Sequence, residues 1–405
     1  RGRTDVLPTG RNFYSLDARA LPTETAWELG SRAAEVFVAR YVQDHGDWPR
    51  AIVMSAWGTA NMRTGGDDLA QVLALLGAKP VWDGPSRRVT GFDILPIAKL
   101  GRPRVDVTLR ISGFFRDAFP AQIALIDSVV RAVAAREESA SDNPLRAQVM
   151  ADIEATGRDD DDATRRATYR IFGSKPGAYG AGLQAMFDEQ LWDQPTDLSD
   201  AFLTWGQYAY GSDTAGRPER HLIEARLGTA EAVLHNQDNR EHDILDSDDY
   251  YQFAGGLAVA ANTLQGRRLP VYHGDNSRPE TPRVRGLDEE IARVVRARAV
   301  NPKWIDAMMA HGYKGAFELS ATVDYLFAFA ATTGAVRDHH FDAIHDAYLD
   351  DERVCRFLET ANPDALHDIQ AKLREAVERG LWSPRRNSVR ATLEVESSVS
   401  KQLTN

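Results

Sequence analysis

The chain has 405 residues, 43% of them hydrophobic and 26% charged, a balance that is ordinary for a folded globular protein of two or three domains. Its net charge of −11 argues against a nucleic-acid partner, because binding to phosphates requires a basic face. No apolar run approaches the length of a membrane span, and the single cysteine excludes an intrachain disulfide framework and suits a reducing cytoplasm, where we expect the protein to reside.

Residues 1–150 alternate between predicted strands and helices. Thr23 is placed to cap a helix that begins "ETAWELG", residues 50–58 ("RAIVMSAWG") predict a buried strand, and residues 104–113 alternate as another strand. The stretch "KPVWD" is a short strand candidate, and "AFPAQIALIDSVVRAVAAREE" predicts a long helix. This alternation predicts an α/β domain over residues 1–150, three-layer-like and with a mainly parallel sheet.

The rest of the chain predicts a largely helical α+β region. We expect residues 151–275 to form a cavity-bearing α+β part, with the chain mostly helical after residue 183, and residues 276–405 to form a helical C-terminal part that begins with a linker or long loop at 276–286. The acidic run Asp159–Asp162 predicts a solvated surface rather than a metal site.

A glycine-rich loop, "GSKPGAYGAG", lies within residues 171–183. It does not match a P-loop, because Lys175 precedes Gly177 instead of following the last glycine, and its G-x-x-G-x-G order reverses the dinucleotide fingerprint. We therefore expect no nucleotide to be bound by this chain. Two interpretations stay open: a loop that lets a planar or anionic ligand approach the backbone, or a structural turn.

The densest group of ionisable residues is "HNQDNREHDILDSDDYYQ", residues 235–252, with five aspartates, one glutamate, two histidines and one arginine. If its first part is helical, His235, Asp238 and His242 lie near one face. Carboxylates and imidazoles together suit Co²⁺, Ni²⁺ or Zn²⁺, and they can also relay protons. The alternative is a salt-bridged structural segment in which Arg240 neutralises its neighbours.

A second charged pair lies in "HGYKGAFELSATVDYLFAF", residues 311–329, where Lys314 and Glu318 fall on adjacent helical turns. They either pair with each other on a buried helix or line a cleft.

Several long stretches resemble the large subunit of aerobic cobaltochelatase, which belongs with the large subunit of magnesium chelatase. The similar blocks are "LPTGRNFYSLD", "RVTGFDILP", "RVDVTLRISGFFRDAFP", "FGSKPGAYGAGL", "NQDNREHDILDSDDYYQF" and "NPKWIDAMMAHGYKGAFELSATVDYLFAF". Long collinear blocks are far more specific than a short motif. Because the family subunit is much longer and the chain begins with Arg1, we expect this sequence to be its C-terminal part.

The resemblance implies a ligase that forms nitrogen–metal bonds as part of a multisubunit complex. The family subunit binds a tetrapyrrole, hydrogenobyrinic acid a,c-diamide in the cobalt enzymes, and inserts Co²⁺ during cobalamin synthesis. An AAA+ ATPase subunit and its companion subunit supply ATP hydrolysis with Mg²⁺, which agrees with the missing P-loop. The alternatives are a non-catalytic tetrapyrrole carrier or scaffold, and a chelatase for Mg²⁺ or Ni²⁺.

In the magnesium relatives, an acidic segment at the position of Glu241–Tyr251 borders the porphyrin cavity. The residues carried over fall into three roles. For catalysis we expect Glu241, His242, Asp246 and Asp249; for metal delivery Asp238, Glu241 and His242; and for tetrapyrrole binding Lys175, Gly177, Tyr179, Arg240, Tyr250, Tyr251, Lys314 and Glu318. The chain departs from the family pattern at Ala121, Ala254 and Ala330, where family members often have His, His and Asp.

Overall fold

The computed structural model describes residues 17–158, 160–387 and 389. The turn signal "LPTGRN", Asp159 of the acidic run and the end of the chain from residue 390 lie outside the described residues. The described residues group into two compact units, a sheet unit (within residues 17–240 and 252–285) and a helical unit (within residues 241–251 and 286–389). None of the helices described there is long and apolar enough to cross a membrane.

The described strands are β1 Ala51–Ala56, β2 Ala78–Trp82, β3 Val89–Ile94, β4 Asp106–Ile111, β5 Ile171–Gly173, β6 Tyr208–Tyr210, β7 Ala215–Pro218, β8 Ala232–Gln237, β9 Val271–Asp275 and β10 Arg283–Gly286. The described α-helices are α1 Glu24–His45, α2 Gly58–Thr64, α3 Asp67–Leu76, α4 Ile97–Leu100, α5 Gly113–Ala118, α6 Pro120–Ala134, α7 Pro144–Thr156, α8 Asp161–Ala167, α9 Gln184–Asp188, α10 Pro195–Gly206, α11 Arg220–Thr229, α12 Asp248–Tyr250, α13 Gly256–Gln265, α14 Leu287–Val294, α15 Pro302–Ala310, α16 Tyr313–Thr333, α17 Asp338–His345, α18 Glu352–Ala361 and α19 Pro363–Glu378. Three π-helical turns are Tyr251–Gly255, Val295–Ala299 and Asp346–Asp350, and a short 3₁₀ turn is Ala18–Ala20.

A sheet of eight strands, in the order β10-β9-β8-β1-β4-β5-β6-β7, forms the centre of the sheet unit. Strands β9, β8, β1, β4 and β5 run parallel, whereas β6 and β7 add an antiparallel edge. The residues of β4, β8 and β9 are all buried, which is typical of parallel strands covered on both faces. The predicted α/β class with a mainly parallel sheet is therefore confirmed.

The core of the sheet unit is built from apolar strand and helix residues such as Phe37, Met54, Leu73, Leu109 and Val130, each with 1% exposure or less. Helix α1 begins as expected, because the hydroxyl of Thr23 accepts a hydrogen bond from the Ala26 amide at 3.1 Å. The predicted strands at 50–58, 104–113 and "KPVWD" are confirmed as β1, β4 and β2, and the long predicted helix is α6.

The structure divides the chain differently from the three predicted regions. Strands from residues 171–286 join the same sheet as β1 and β4, because β5 pairs with β4 and β8 pairs with β1. Residue 150 is therefore not a boundary between the two compact units, although Gly286, where the chain passes into the helical unit, falls at the end of the predicted linker. The expectation of a mostly helical chain after residue 183 was wrong for β6 to β10.

The strand β8 rules out the condition on which the common face of His235, Asp238 and His242 depended, namely that the first part of residues 235–252 is helical. Residues Ala232–Gln237 pair with β1 on one side and β9 on the other, so His235 lies in the middle of a buried parallel sheet. The spacing of three and four residues that suggested a common helical face for His235, Asp238 and His242 has no structural meaning in a strand, where side chains alternate between two faces.

Candidate functional site

The order of the parallel strands reverses between β1 and β8. From β1 the sheet continues to β4 and β5 on one side, whereas β8 and β9 lie on the other side. In open α/β sheets, ligands bind outside the carboxyl ends of the strands at such a switch point. The carboxyl ends here are followed by Trp57 after β1, Ser112 after β4, the glycine-rich loop after β5, and Asp238 after β8.

Exposed aromatic rings rest on glycine backbones along this edge. A Cβ on Gly58 would lie 2.6 Å from the ring of Phe114, a Cβ on Gly113 would lie 2.6 Å from the ring of Tyr179, and a Cβ on Gly182 would overlap the ring of Trp205. We call Phe114, Tyr179 and Trp205 the aromatic shelf; they are 39%, 60% and 42% exposed. Apolar rings this open are suited to stack on a flat ligand.

Arg116 fixes the part of the shelf that belongs to the glycine-rich loop. Arg116 donates to the carbonyls of Lys175 (2.8 Å) and Ala178 (2.9 Å), and its guanidinium lies 5.4 Å from the centre of the Tyr179 ring. The Tyr179 hydroxyl donates to Asp117 at 2.6 Å. These contacts fix the glycine-rich loop, and they leave the side chain of Lys175 exposed beside it.

Arg110 is fully buried at the end of β4. It donates to the carbonyls of Ile111 (2.6 Å) and Gly180 (3.3 Å), and its guanidinium lies 5.0 Å from the centre of the Phe253 ring. Burial lowers the pKa of Arg110 to about 10, and no carboxylate among the described residues forms an ion pair with it. Arg110 therefore brings buried positive charge to the carboxyl edge.

Polar side chains are also buried under the switch point. His235 Nδ1 lies 2.8 Å from the Ser55 hydroxyl, and burial followed by the nearby His273 lowers the pKa of His235 to about 3, so it is neutral. Asp68 accepts hydrogen bonds from Asn236 (2.8 Å) and Asn61 (3.0 Å). Burial raises the pKa of the Asp68 carboxyl to about 7.

Asp238 and Arg240 have separate partners in the sheet unit. Arg63 forms a two-pronged ion pair with Asp238, at 2.7 and 2.9 Å. Arg240 donates to Asp275 at 2.7 Å and to Ser277 at 2.9 Å. Although burial opposes it, hydrogen bonds from Ser277 and the charge of Arg240 hold the pKa of Asp275 at about 2. Arg240 therefore pairs with Asp275 of β9. It does not neutralise the carboxylates of its own segment, as the salt-bridged alternative had it.

Within the helical unit, the acidic segment is anchored by Arg298. Its guanidinium binds Asp243 at 2.6 and 2.9 Å, Asp246 at 3.1 Å and the Thr322 hydroxyl at 3.1 Å, and it lies 4.8 Å from the centre of the Trp304 ring. Burial raises the pKa of Asp246, although the charge of Arg298 opposes this shift. The sequence analysis did not identify Arg298. The only indication was the excess of acidic residues in segment 235–252, which required a cation from elsewhere in the chain.

Asp249 differs from Asp243 and Asp246 because it has no arginine among the contacts of the described residues. Although Asp249 as a residue is exposed, local desolvation of its carboxyl group, followed by the negative charge of Asp248, raises its pKa to about 6. Glu241 and His242 are exposed, whereas Tyr251 is buried, with its ring 5.9 Å from that of Tyr325; Tyr250 is half-buried. Asp249 is therefore a carboxyl group of this segment that can exchange a proton near pH 6.

Lys314 and Glu318 lie on α16 as the sequence predicted, but they form no ion pair with each other among the described residues. Lys314 is exposed and Glu318 half-buried, beside the exposed rings of Tyr313 (66%) and Phe317 (56%). The alternative of a buried Lys–Glu pair is wrong, and the alternative of residues that line a cleft stays a prediction.

The expected site residues are thus divided between the two units. Five of them belong to the sheet unit: Lys175, Gly177, Tyr179, Asp238 and Arg240. Eight belong to the helical unit: Glu241, His242, Asp246, Asp249, Tyr250, Tyr251, Lys314 and Glu318. The three alanines that depart from the family pattern are divided too, since Ala121 and Ala254 lie in the sheet unit and Ala330 lies in the helical unit.

The chain joins a mainly parallel α/β sheet, with exposed aromatic rings at its carboxyl edge, to a carboxylate-rich helical unit. The chain belongs to the CobN/Magnesium Chelatase family, whose model matches residues 1–389. It is 63% identical over 396 residues to the aerobic cobaltochelatase subunit CobN of Sinorhizobium sp, covering 97% of this chain and 31% of that protein.

Two further relatives extend this comparison. ChlH, the chloroplastic magnesium-chelatase subunit of Oryza sativa subsp. indica, is 30% identical over 402 residues, covering 98% of this chain and 29% of that protein. The solved structure of the catalytic subunit of cobaltochelatase from Mycobacterium tuberculosis matches with a TM-score of 0.93 and 48% identity, covering 97% of this chain and 33% of that one. The chain therefore spans about a third of the length of these relatives.

Proposed function

We propose that this chain is part of the large, tetrapyrrole-binding subunit of an aerobic cobaltochelatase, which inserts Co²⁺ into hydrogenobyrinic acid a,c-diamide in cobalamin biosynthesis. The observation that carries the proposal is the aromatic shelf of Phe114, Tyr179 and Trp205 along the carboxyl edge of the sheet, in a chain that is 63% identical to a cobaltochelatase subunit. A macrocycle with a flat conjugated face is the kind of ligand that such a shelf favours.

The charges near the shelf suit the polar rim of this substrate. Its carboxylate groups require cations: the exposed Lys175 can bind one directly, whereas the buried Arg110 and the Asp275-paired Arg240 add positive charge in the sheet unit. The glycine-rich loop allows the substrate to approach the backbone closely, because its glycines have no side chains in the way.

Metal insertion removes the proton held by the ring nitrogens of the corrin macrocycle, and we assign this step to the acidic segment. A general base works best when its pKa lies near the working pH. Asp249, with a pKa of about 6, meets this condition, whereas Asp243 is held by Arg298. Glu241 and His242, both exposed, are the proposed weak ligands that pass Co²⁺ to the macrocycle without trapping it, whereas Asp238 is held by Arg63.

Energy from ATP enters through other subunits in this proposal. The chain has no Walker sequence, so an AAA+ ATPase subunit and its companion would bind ATP and Mg²⁺. The single cysteine, Cys355, is compatible with the cytoplasm as the compartment. The chain itself should hydrolyse no ATP.

The binding test uses hydrogenobyrinic acid a,c-diamide and the quenching of tryptophan fluorescence. Tyr179→Ala should weaken binding by about tenfold, since stacking on an aromatic ring contributes roughly 1–1.5 kcal/mol. Trp205→Ala should do the same in an assay of substrate absorbance. Trp48→Ala is the matched control, because Trp48 is equally exposed (41%) but precedes β1 at the opposite end of that strand.

Equal affinity in the shelf variants and the Trp48 control would contradict the proposed binding surface. Cobalt insertion by the complete three-subunit enzyme, assayed with the same variants, separates a chelatase from a non-catalytic carrier: a carrier binds the tetrapyrrole but supports no insertion. Mg²⁺ and Ni²⁺ in place of Co²⁺ test the choice of metal, which the 30% identity to a magnesium chelatase leaves to experiment.

A further inference from the structure

The helical unit carries three metal-ligating side chains that the proposed function does not use. His345 ends α17, and Asp346 and Asp350 are the first and last residues of the π-helical turn that follows. One ligand atom from each side chain lies within 4.8 Å of the other two. Turns of π-helix are rare and frequently occur at functional sites.

The imidazole of His345 distinguishes this group from an ordinary acidic patch. It is 5% exposed and packs on Trp382, with ring centroids 6.0 Å apart. Its Nδ1 has no hydrogen-bond partner among the described residues and faces the Asp350 carboxylate at 3.5 Å. A buried polar atom without a partner destabilises the fold, and a cation between the imidazole and the carboxylate would supply the missing partner.

Arg386 already supplies a cation on the solvent side of the group. Its Nη2 pairs with both Asp346 and Asp350, and its side chain is 48% exposed. The guanidinium therefore neutralises the two carboxylates, but it forms no hydrogen bond with His345. Arg386 therefore accounts for the charges of the two aspartates. It does not provide a hydrogen-bond partner for the buried imidazole of His345.

We propose that His345, Asp346 and Asp350 bind a divalent first-row transition metal, which displaces Arg386. One imidazole nitrogen and two carboxylates suit Zn²⁺, Co²⁺ or Ni²⁺, with water completing the coordination. Metal–ligand bonds of about 2.0–2.2 Å bring ligand atoms to within roughly 4.4 Å of one another, so small side-chain rotations close the site. This inference is independent of the proposed function, because it involves none of the residues assigned to tetrapyrrole or cobalt insertion.

The experiment titrates the chain with Co²⁺ and follows the visible absorption of the bound ion, with thermal melts alongside. Glu241→Gln and His242→Ala are present in every chain compared, the wild-type reference included, so that the cobalt ligands of the proposed function do not contribute to the band. The wild-type chain should show a saturable Co²⁺ band, and Arg386→Ala should bind at least about tenfold more tightly, because the competing cation is gone. Arg353→Ala is the matched control: Arg353 is similarly exposed and pairs with two aspartates, Asp306 and Asp351, but with no histidine. It should bind Co²⁺ as the wild type does.

His345→Ala should abolish the band, and Asp350→Asn, at an exposed position less prone to disturb folding, should weaken it by about tenfold or more. A band that persists unchanged in both variants would overturn the proposal. So would the absence of any band in the wild type and in Arg386→Ala, or equal Co²⁺ affinity in Arg386→Ala and Arg353→Ala. Melting curves that match the wild type ensure that a lost band reports the site and not unfolding.

Discussion

Among single residues, Asp249 and Asp243 show how position sets the chemistry of identical side chains six residues apart. Asp243 is tied to Arg298 by two hydrogen bonds, whereas the carboxyl group of Asp249 is desolvated and lies near the charge of Asp248. The first arrangement is a two-pronged, charge-assisted pair that anchors the chain. The second produces a carboxyl group that exchanges a proton near pH 6, which suits a base.

Cobalt insertion should therefore depend on the ionisation of Asp249. The rate should rise with pH through about 6, because only the carboxylate form can accept a ring-nitrogen proton. Asp249→Asn should lower the rate by roughly 10²-fold and remove this limb of the pH profile. Asp248→Asn should move the limb to lower pH, since it removes the neighbouring charge. A profile in Asp249→Asn with the same limb and the same rate would exclude Asp249 as the base.

The buried carboxyl group of Asp68 leads to a prediction about the stability of the fold rather than about activity. Burial raises its pKa in the folded chain to about 7 from 3.8, so between about pH 4 and pH 7 the unfolded chain releases a proton that the folded chain retains. Its contribution to stability is therefore present below about pH 4 and is lost as the pH rises to 7. Asp68→Asn should flatten this decline in melts recorded from pH 4 to 8.

Asp162→Asn is the control for Asp68→Asn, because its effect on the pH dependence of stability should have the opposite sign. Arg217 lowers the pKa of the exposed Asp162, whose small contribution is present at neutral pH and is lost as the pH falls below about 4. If Asp68→Asn melts with the same pH dependence as the wild type, the buried carboxyl is ionised in the folded chain and our assignment of its charge is wrong.

At the scale of elements, the glycine-rich loop offers a comparison of two neighbouring glycines. Gly177 and Gly182 both have positive φ angles, +81° and +85°, so alanine at either position costs about 1 kcal/mol in backbone strain. No atom lies within 4 Å of a Cβ on Gly177, whereas a Cβ on Gly182 would overlap Trp205. The two substitutions therefore share the backbone effect and differ in what they do to the aromatic shelf.

Gly182→Ala should weaken tetrapyrrole binding several-fold more than Gly177→Ala, because only the former displaces the Trp205 ring. Fluorescence quenching measures the affinity, and thermal melts confirm that both variants keep the fold with a similar loss of stability. Equal binding losses in the two variants would mean that the conformation of the loop matters and the Trp205 ring does not.

Local sequence patterns predicted those elements that are regular over many residues. The helices α1 and α6 and the strands β1 and β4 followed from periodicity and from Thr23 as a cap. The residues of β8 misled the prediction, because their strand state depends on pairing with β1, some 180 residues earlier in the chain. The Gly182–Trp205 contact and the Arg298 anchor are likewise tertiary contacts that no local pattern contains.

For the molecule as a whole, the path of the chain explains why the acidic segment cannot be understood from its neighbours in sequence. After β8 the chain leaves the sheet unit at Arg240, contributes residues 241–251 to the helical unit, and re-enters the sheet unit at Gln252. The segment is flanked by β8 and α13 in sequence, yet its main anchor is Arg298, some 50 residues further on. The acidic segment should therefore lose its ordered structure when the helical unit is destabilised.

Substitution of Arg298 by methionine tests this assignment. Arg298 and Asp243 are both largely buried, so removing the guanidinium leaves two buried carboxylates without a cation and should cost about 3 kcal/mol. Hydrogen exchange should show faster exchange for residues 243–251 and for the middle of α16, where Thr322 loses its contact with Arg298, while β8 and β9 keep their protection. Arg298→Lys, which keeps one charge but not the two-pronged pair, should lie between Arg298→Met and the wild type. If instead β8 loses protection and residues 243–251 do not, the acidic segment depends on the sheet unit, and Arg298 is not its anchor.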